Sequence, residues 1–397
     1  LRANGYQTAV LGKWHLKTLP TADAFDHFEV VNDQGDYYNP LFMRPRDTVR
    51  VEGYATEIIT DRALEWLQRT RDSARPFLLM LQHKAPHRPW QPGPSQLEMF
   101  EGIPFPEPPT LFDDWKGRAT PAREQEMTIA RHLDDIDLKL VPPGNLTPAQ
   151  LERWNAAYAS PNAAFRAAQL QGDALVRWKY QRYIADYVRT VAAIDENIGR
   201  VLAYLDSSGL AQNTVVIYSS DQGFFLGDHG WFDKRWMYEE SLRTPLLVRW
   251  PGVVRPGSIN TDLVQNLDYA ETMLEMAGVS VPREMQGRSL VPLLRGRTPP
   301  DWRDAIYYQY FEYPDWHMVR RHYGVRTKQY KLIHYYEVNE WELFDLAKDR
   351  QELRSVYGEP AYASILARMK AKLRELRAQY RVPDTDPVPY RPWPRRP

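Results

Sequence analysis

Cysteine is absent from all 397 residues. That excludes a disulfide framework, a thiolate metal site and a cysteine nucleophile within this sequence. No apolar run approaches the ~20 residues that a membrane span needs. Neither sign of charge is in excess: Lys and Arg total 51, and so do Asp and Glu. A balanced chain presents no global field toward nucleic acid, so affinity for an anion must come from a local cluster. There is no internal repeat, no Walker loop and no Gly-x-Ser-x-Gly elbow. No signal peptide is visible, and the chain opens mid-element without an initiator Met, as a fragment cut at its N-terminus would. Aromatic rings are what the chain has in quantity, with 13 Trp and 24 Tyr. They serve core packing, and sugar-binding clefts use such rings as well.

The most informative stretch is 214–235. It begins as an apolar, β-branched run, the pattern of a buried parallel strand. It ends in Asp221, Gln222 and Gly223, and then a loop bearing His229, Lys234 and Arg235. Ligands of open α/β sheets sit just beyond the carboxyl ends of strands. Two adjacent oxygen donors there suit a hard cation, calcium or magnesium. Lys234 and His229 would then meet an anionic substrate beside that cation. A second candidate edge is Gly12-Lys13-Trp14-His15-Leu16, after a short strand at 8–11. Alternate residues of an extended segment point the same way, so Lys13 and His15 could face one anion. A third follows a short buried strand at 77–81: Gln82-His83-Lys84-Ala85-Pro86-His87-Arg88-Pro89. Its prolines are expected to hold the loop extended and stiff.

Elsewhere the pattern predicts mainly scaffold. Residues 56–69 read as a surface helix with Ile59, Ala63, Trp66 and Leu67 on its apolar face. Helices are expected at 127–140 and 147–159, within an insertion that walls the cleft, with Asp134, Asp135 and Asp137 on a solvated face. Apolar residues from Tyr180 to Leu205 predict a long amphipathic helix, with Gly209 as its stop. A strand is expected at 246–250. Asp268 with Glu271 reads as a capping box for a helix ending at Gly278. Four short strands at 306–310, 323–327, 331–335 and 342–344 have hairpin spacing. A helix with Ile365, Met369, Leu373, Leu376 and Tyr380 on one face follows. The expected division is a large α/β domain over 1–300, a small antiparallel-sheet-plus-helix subdomain over 301–381, and a proline-rich tail over 382–397.

Three segments together carry a resemblance: Gly-Lys-Trp-His-Leu, Ala-Pro-His-x-Pro, and Ser-Ser-Asp-Gln-Gly followed by Lys234-Arg235 and Tyr238-Glu239-Glu240-Ser241. They resemble the type I, formylglycine-dependent sulfatases of the alkaline phosphatase superfamily. The resemblance implies an alkaline-phosphatase-like, mostly parallel sheet flanked by helices. It makes Asp221 and Gln222 part of a calcium site, with magnesium less favoured. By the same carry-over Lys13 and Lys234 grip the sulfate, His87 protonates the leaving oxygen, and His15 helps break the sulfated intermediate. Gln222 stands where Asn is common in the family; both offer an amide oxygen.

The family's nucleophile comes from a Cys/Ser-x-Pro/Ala-x-Arg motif, which this sequence lacks together with the paired acids that complete the calcium site. Both normally precede the Gly-Lys-Trp-His segment, so truncation is expected and the fragment alone should be inactive. Gln34-Gly-Asp-Tyr-Tyr-Asn-Pro40 and the 313–327 segment resemble bacterial sulfatases acting on N-acetylglucosamine-6-sulfate. There His229, Arg235, His317 and Arg320 are expected at the substrate. The implied partners are a sulfated carbohydrate and a formylglycine-generating maturation enzyme, with no nucleic acid and no membrane span. The implied location is periplasmic or secreted. A non-catalytic sulfated-glycan binder and a phosphonate or phosphate ester hydrolase of the same superfamily remain as alternatives.

Overall fold

A computed structural model describes residues 1–16 and 18–386. The chain falls into two compact units, residues 1–107 with 133–214, and 108–132 with 215–397. The first segment supplies β1 (Gln7–Lys13), β2 (His27–Val31), β3 (Leu41–Met43), β4 (Thr48–Arg50), α1 (Ala55–Glu65) and β5 (Phe77–Gln82). Next come two single-turn helices, α2 (Pro121–Glu124) and α3 (Ile129–His132). Then follow α4 (Pro148–Ala168) and the 36-residue α5 (Gly172–Ser207). The remainder holds β6 (Val216–Ser219), β7 (Phe225–Leu226), β8 (Phe232–Asp233), α6 (Glu239–Leu242), β9 (Leu246–Arg249), α7 (Asp268–Met276) and α8 (Val291–Leu294). It closes with β10 (Ala305–Tyr310), β11 (His322–Thr327), β12 (Tyr330–Tyr335), β13 (Glu340–Asp345) and α9 (Ala363–Gln379).

In the first unit the sheet order is β4-β3-β2-β1-β5. The apolar run of β1 is buried along nearly its whole length and pairs in parallel with both β2 and β5. The β2–β3 and β3–β4 pairs are antiparallel, so the sheet is mixed rather than mostly parallel. Strands that turn straight back need no crossover helix. One face of β1 and β5 packs Ala9, Leu11, Leu79 and Leu81 with Ala63, Trp66 and Leu67, and with Val201 and Tyr204 of α5. The helical periodicities of 56–69 and 180–205 therefore read correctly as apolar faces. Gly209 ends the α5 region in the left-handed conformation, φ 75°. β5 is half-buried rather than buried.

The 127–140 segment is a single helical turn followed by tight turns, not a helix. Asp134 Oδ1 accepts from the backbone N–H of Ile136 and Asp137, and Asp137 Oδ2 accepts from that of Asp134. Side chains that capture nearby backbone donors compete with the helix ladder. Asp137 is buried against Arg88 at 2.6 Å, and Asp134 lies 3.0 Å from the same guanidinium. Asp137 braces the His87 loop from the interior, whereas Asp134 and Asp135 stay exposed, though not along a helix. α4 runs further than expected, opened by a Thr147–Gln150 capping box.

In the second unit β6 pairs with β9, and the pairing is antiparallel. Its residues are half-buried, with Tyr218 exposed. Between β6 and β9 the chain forms the β7–β8 hairpin and the single-turn α6, and β9 then runs back alongside β6. The expected capping box at α7 is absent. Asp268 instead accepts from the N–H groups of Gln265 and Arg288 and pairs with Arg303, and Glu271 accepts from Gly287 N. The C-terminal strands form the antiparallel sheet β10-β11-β12-β13. α9 covers it through Met369, Leu373 and Leu376, which pack on Ala305, Val325, Leu332 and Leu343. Of the proline-rich tail, 387–397 lie outside the described residues. Asp386, just before them, bonds Arg321 and Tyr336.

Candidate active site

In the first unit the candidates gather at one sheet edge. The register Gly12↔Gln82 sets the carboxyl ends of β1 and β5 side by side, and Lys13↔Val31 adds that of β2. Gly12 is obligatory: φ is 107°, and a Cβ there would stand 1.9 Å from Gln82 O. That close approach brings Lys13 level with the start of the His83–His87 loop. Lys13 ends its strand and is half-buried.

His15 does not continue the extended path, contrary to expectation. Its φ is 47°, because the chain turns away from the sheet as Trp14 packs edge-on against Phe25 and donates to Thr18 O. Its Nε2 lies 3.1 Å from Asp33 Oδ1 and 3.2 Å from Gln34 Nε2. The two residues share an edge, but alternation along an extended strand does not govern His15 at that φ.

The His87 loop is turned rather than extended. His87 N donates to Lys84 O and Trp90 N to His87 O, and the Ala85–Pro86 and Arg88–Pro89 bonds are cis. Its backbone is held by Tyr37 Oη donating to His87 O at 2.5 Å, and by Tyr38 and Tyr54 donating to Pro92 O and Gln91 O. His87 is half-buried, with Nδ1 2.8 Å from Arg88 O. His83 is a different case. It is turned inward to Thr60 Oγ1 at 2.9 Å, and burial lowers its pKa to about 4. That is a neutral packed ring.

In the second unit Asp221 and Gln222 leave the end of β6. Asp221 is exposed, and Ser220 Oγ donates to it at 3.3 Å. Gly223 behind them donates to Ser241 O at 2.8 Å, so α6 buttresses the turn. Lys234 is half-buried, and its backbone N–H donates to Asp233 Oδ1 at 2.7 Å.

Two expected substrate residues prove to be interior groups. His229 is fully buried, with Nδ1 3.0 Å from Asp113 Oδ2 and 2.9 Å from Arg118 Nη1, and Nε2 3.8 Å from Glu240 Oε2. Burial disfavours its imidazolium, but the two carboxylates outweigh that and raise its pKa. His317 is likewise buried, with Nδ1 2.8 Å from Glu126 O and Nε2 3.5 Å from Asp233 Oδ2. Arg235 reaches the same Asp233 at 3.1 Å and Glu312 at 2.6 Å. Burial opposes the charge of Asp233, yet Arg235, His317 and Lys234 hold its carboxyl well below the usual range. Arg320 pairs with Glu124 at 2.8 Å and lies over the Tyr313 ring, keeping part of its side chain at the surface. The residues that sequence reasoning missed are therefore acids: Asp113, Asp233 and Glu240. Asp233 stands inside the 214–235 stretch itself, where an acid between His229 and Lys234 was a readable signal.

A family model described as "Sulfatase" matches residues 1–279, and one described as "N-sulphoglucosamine sulphohydrolase, C-terminal" matches 227–379. The chain belongs to the sulfatase family. This sulfatase chain is 46% identical over 409 aligned residues to the N-acetylglucosamine-6-O-sulfatase of Bacteroides thetaiotaomicron, covering 98% of this chain and 72% of that protein. It is 25% identical to the human N-acetylglucosamine-6-sulfatase, covering 77% of this chain and 50% of the relative. Among solved structures, one in complex with its substrate D-glucosamine-2-N,6-O-disulfate matches with TM-score 0.94 and 45% identity, over 96% of this chain and 81% of that one. The family matches thus run across the α/β core and into the C-terminal sheet.

The fit of the sulfatase chain to calcium rests on its donors. Asp221 and Gln222 offer a carboxylate and an amide oxygen, hard ligands that calcium accepts. Among the described residues there is no cluster of three or more His, Cys, Asp or Glu suited to a metal. Two oxygen donors of this kind are chemically compatible with calcium but do not by themselves make a site.

Proposed function

We propose that this chain carries the anion- and leaving-group-handling residues of an enzyme that removes 6-O-sulfate from glucosamine units of a heparan-type glycan. The observation that carries the reading is the 45% identical structure, TM-score 0.94, whose protein takes D-glucosamine-2-N,6-O-disulfate as substrate. Lys13 and Lys234 grip the sulfate oxygens, where fixed positive charge stabilises the developing negative charge. His87 donates a proton to the departing sugar oxygen. His15 assists breakdown of the sulfated intermediate. Arg235 and Arg320, each partly exposed, are the remaining candidates for a second sulfate or a carboxylate on the glycan. Asp221 and Gln222 would hold calcium, which supplies charge neutralisation at the sulfate when bound.

The nucleophile in this reading is a formylglycine made by a maturation enzyme, and this sequence does not encode its motif. The glycan substrate places the protein in the periplasm or outside the cell. Among the described residues no helix is long and apolar enough to cross a membrane.

The test is sulfate release by the gene-length protein co-expressed with a formylglycine-generating enzyme. The substrates are N-acetylglucosamine-6-sulfate, glucosamine-2-N,6-O-disulfate, 3-O- and 2-O-sulfated isomers, and a phosphonate monoester. Release confined to the 6-O position supports the proposal. Preference for the phosphonate, or no turnover with formylglycine present, overturns it.

A further inference from the structure

Lys234 leaves the chain between two residues with left-handed backbone, Asp233 at φ 72° and Arg235 at φ 90°. We propose that the buried Asp233 carboxylate is the positioning residue for Lys234, fixing the backbone on either side of it so that the ammonium is held for the sulfate. The inference rests on the reading of Lys234 as a sulfate-gripping residue.

Strain is the first argument. A residue with a Cβ adopts positive φ rarely; Asp and Asn tolerate it better than others, and a long side chain such as Arg has no such advantage. Strained backbone persists only where its surroundings over-determine it, and it clusters at functional sites. Here two outliers flank a single residue, and that residue is the lysine assigned to the sulfate.

What over-determines them is the second. Asp233 is 3% exposed. Its Oδ1 accepts from the backbone N–H of Lys234 at 2.7 Å and lies 3.1 Å from Arg235 Nε. Its Oδ2 lies 3.5 Å from His317 Nε2. His317 is itself left-handed, φ 69°, and is tied to the 126 backbone twice: Nδ1 lies 2.8 Å from Glu126 O, and Glu126 N donates to His317 O at 2.6 Å. One carboxylate thus collects the main chain of Lys234, the side chain of the next residue and an anchored imidazole.

The loop has little other freedom. Upstream, Phe232 N donates to Met127 O at 2.9 Å, and downstream Trp236 is fully buried. Three residues remain between these anchors, and Asp233 reaches the other two. Burial raises the pKa of Asp233, but Arg235, His317 and Lys234 outweigh it and keep the group an anion. An ionised acceptor makes the stronger hydrogen bond to a backbone N–H.

The test is a double-mutant cycle on the gene-length, formylglycine-bearing protein, with Asp233→Gly, Lys234→Ala and the two combined. Glycine accepts the left-handed backbone, so Asp233→Gly removes the carboxylate without adding strain. Sulfate release from N-acetylglucosamine-6-sulfate gives kcat/KM, and thermal melting checks that each variant is folded. If Asp233→Gly does not fold, Asp233→Asn takes its place in the same cycle. Asparagine also tolerates positive φ and keeps an oxygen for Lys234 N, but carries no charge.

The Asp233 variant is expected to lose about tenfold to a hundredfold in kcat/KM, the scale of a group misplaced by about 1 Å. In the Lys234→Ala background the same substitution should cost no more than about twofold, because the group it positions is gone. A carboxylate that only stabilised the fold would cost the same in both backgrounds, and that result overturns the proposal. So does an Asp233 variant with full activity where Lys234→Ala is impaired. If the wild type releases no sulfate, or Lys234→Ala leaves release unchanged, the functional reading of Lys234 fails. Crystal structures of the wild type and the Asp233 variant then decide the positioning. A displaced Lys234 backbone in the variant supports it, and an unmoved one overturns it.

Discussion

His229 Nδ1 stands 3.0 Å from Asp113 Oδ2, with both side chains almost wholly out of solvent. The loop after β7 is thereby pinned to the 108–132 segment by charge. Arg118 completes the cluster against both residues. Removing the ring takes one partner from Asp113, which keeps Arg118, and one from Glu240, and breaking a buried pair costs about 3 kcal/mol or more. His229→Ala is therefore expected to lower unfolding free energy by about 3 kcal/mol in urea titration. KM for the sulfated substrate should stay near the wild-type value. A raised KM with unchanged stability would restore His229 to the substrate.

Gly223 governs the turn that carries Asp221 and Gln222. A Cβ at this position would lie 2.1 Å from Glu240 O and 2.6 Å from Arg243 O. Gly223→Ala must push α6 away from the turn. Groups that orient metal ligands typically change affinity 10- to 100-fold when altered. The expected result is a loss of about tenfold or more in calcium affinity, read by calorimetry on the gene-length protein. Unchanged affinity would show that the pair does not depend on this buttress, or does not bind calcium.

What the sequence made legible, and what it hid, follows from the range of the interactions. Buried strands such as β1 and amphipathic faces such as that of α5 are written locally, residue by residue. The same holds for the hairpin spacing of β10 to β13. The direction of β6's neighbour is not local: a four-residue strand does not encode whether β9 arrives parallel or antiparallel. The 127–140 segment misled because helical spacing was present but Asp134 and Asp137 spend their carboxylates on backbone N–H groups. His229 and His317 misled for a related reason. Histidine in a motif loop is visible, but the Asp113 that consumes the first lies 116 positions away, and the Asp233 that meets the second lies 84 positions away. At the candidate site the sequence identified the residue types at the strand ends. The glycine contacts that place them became visible only in three dimensions.

His83 gives a pH signature of packing rather than catalysis. Its folded pKa, about 4, is depressed from the ordinary histidine value of 6.5 by burial. Between those values the unfolded chain binds the proton and the folded one does not. Stability is therefore fully present above pH 6.5 and falls as pH drops toward 4. His83→Gln should remove part of this slope across the window, measured as the difference in unfolding free energy between variant and wild type at several pH values. Parallel profiles for the two proteins would show that His83 titrates normally.

His87 is the residue whose role depends most on the leaving group. A sugar alkoxide is a poor leaving group and needs a proton as the ester bond breaks. A nitrophenolate leaves readily without one. General-acid help is worth roughly 10²- to 10⁴-fold where it is needed. His87→Ala is therefore expected to lose about 10²-fold or more in kcat on N-acetylglucosamine-6-sulfate and much less on 4-nitrophenyl sulfate. The backbone of the loop is held by Tyr37, Tyr38 and Tyr54 through main-chain carbonyls, so truncating the ring should leave the fold in place. Equal losses on both esters would move His87 from proton transfer to simple substrate binding. A selective loss would mark the sugar oxygen as the atom it protonates.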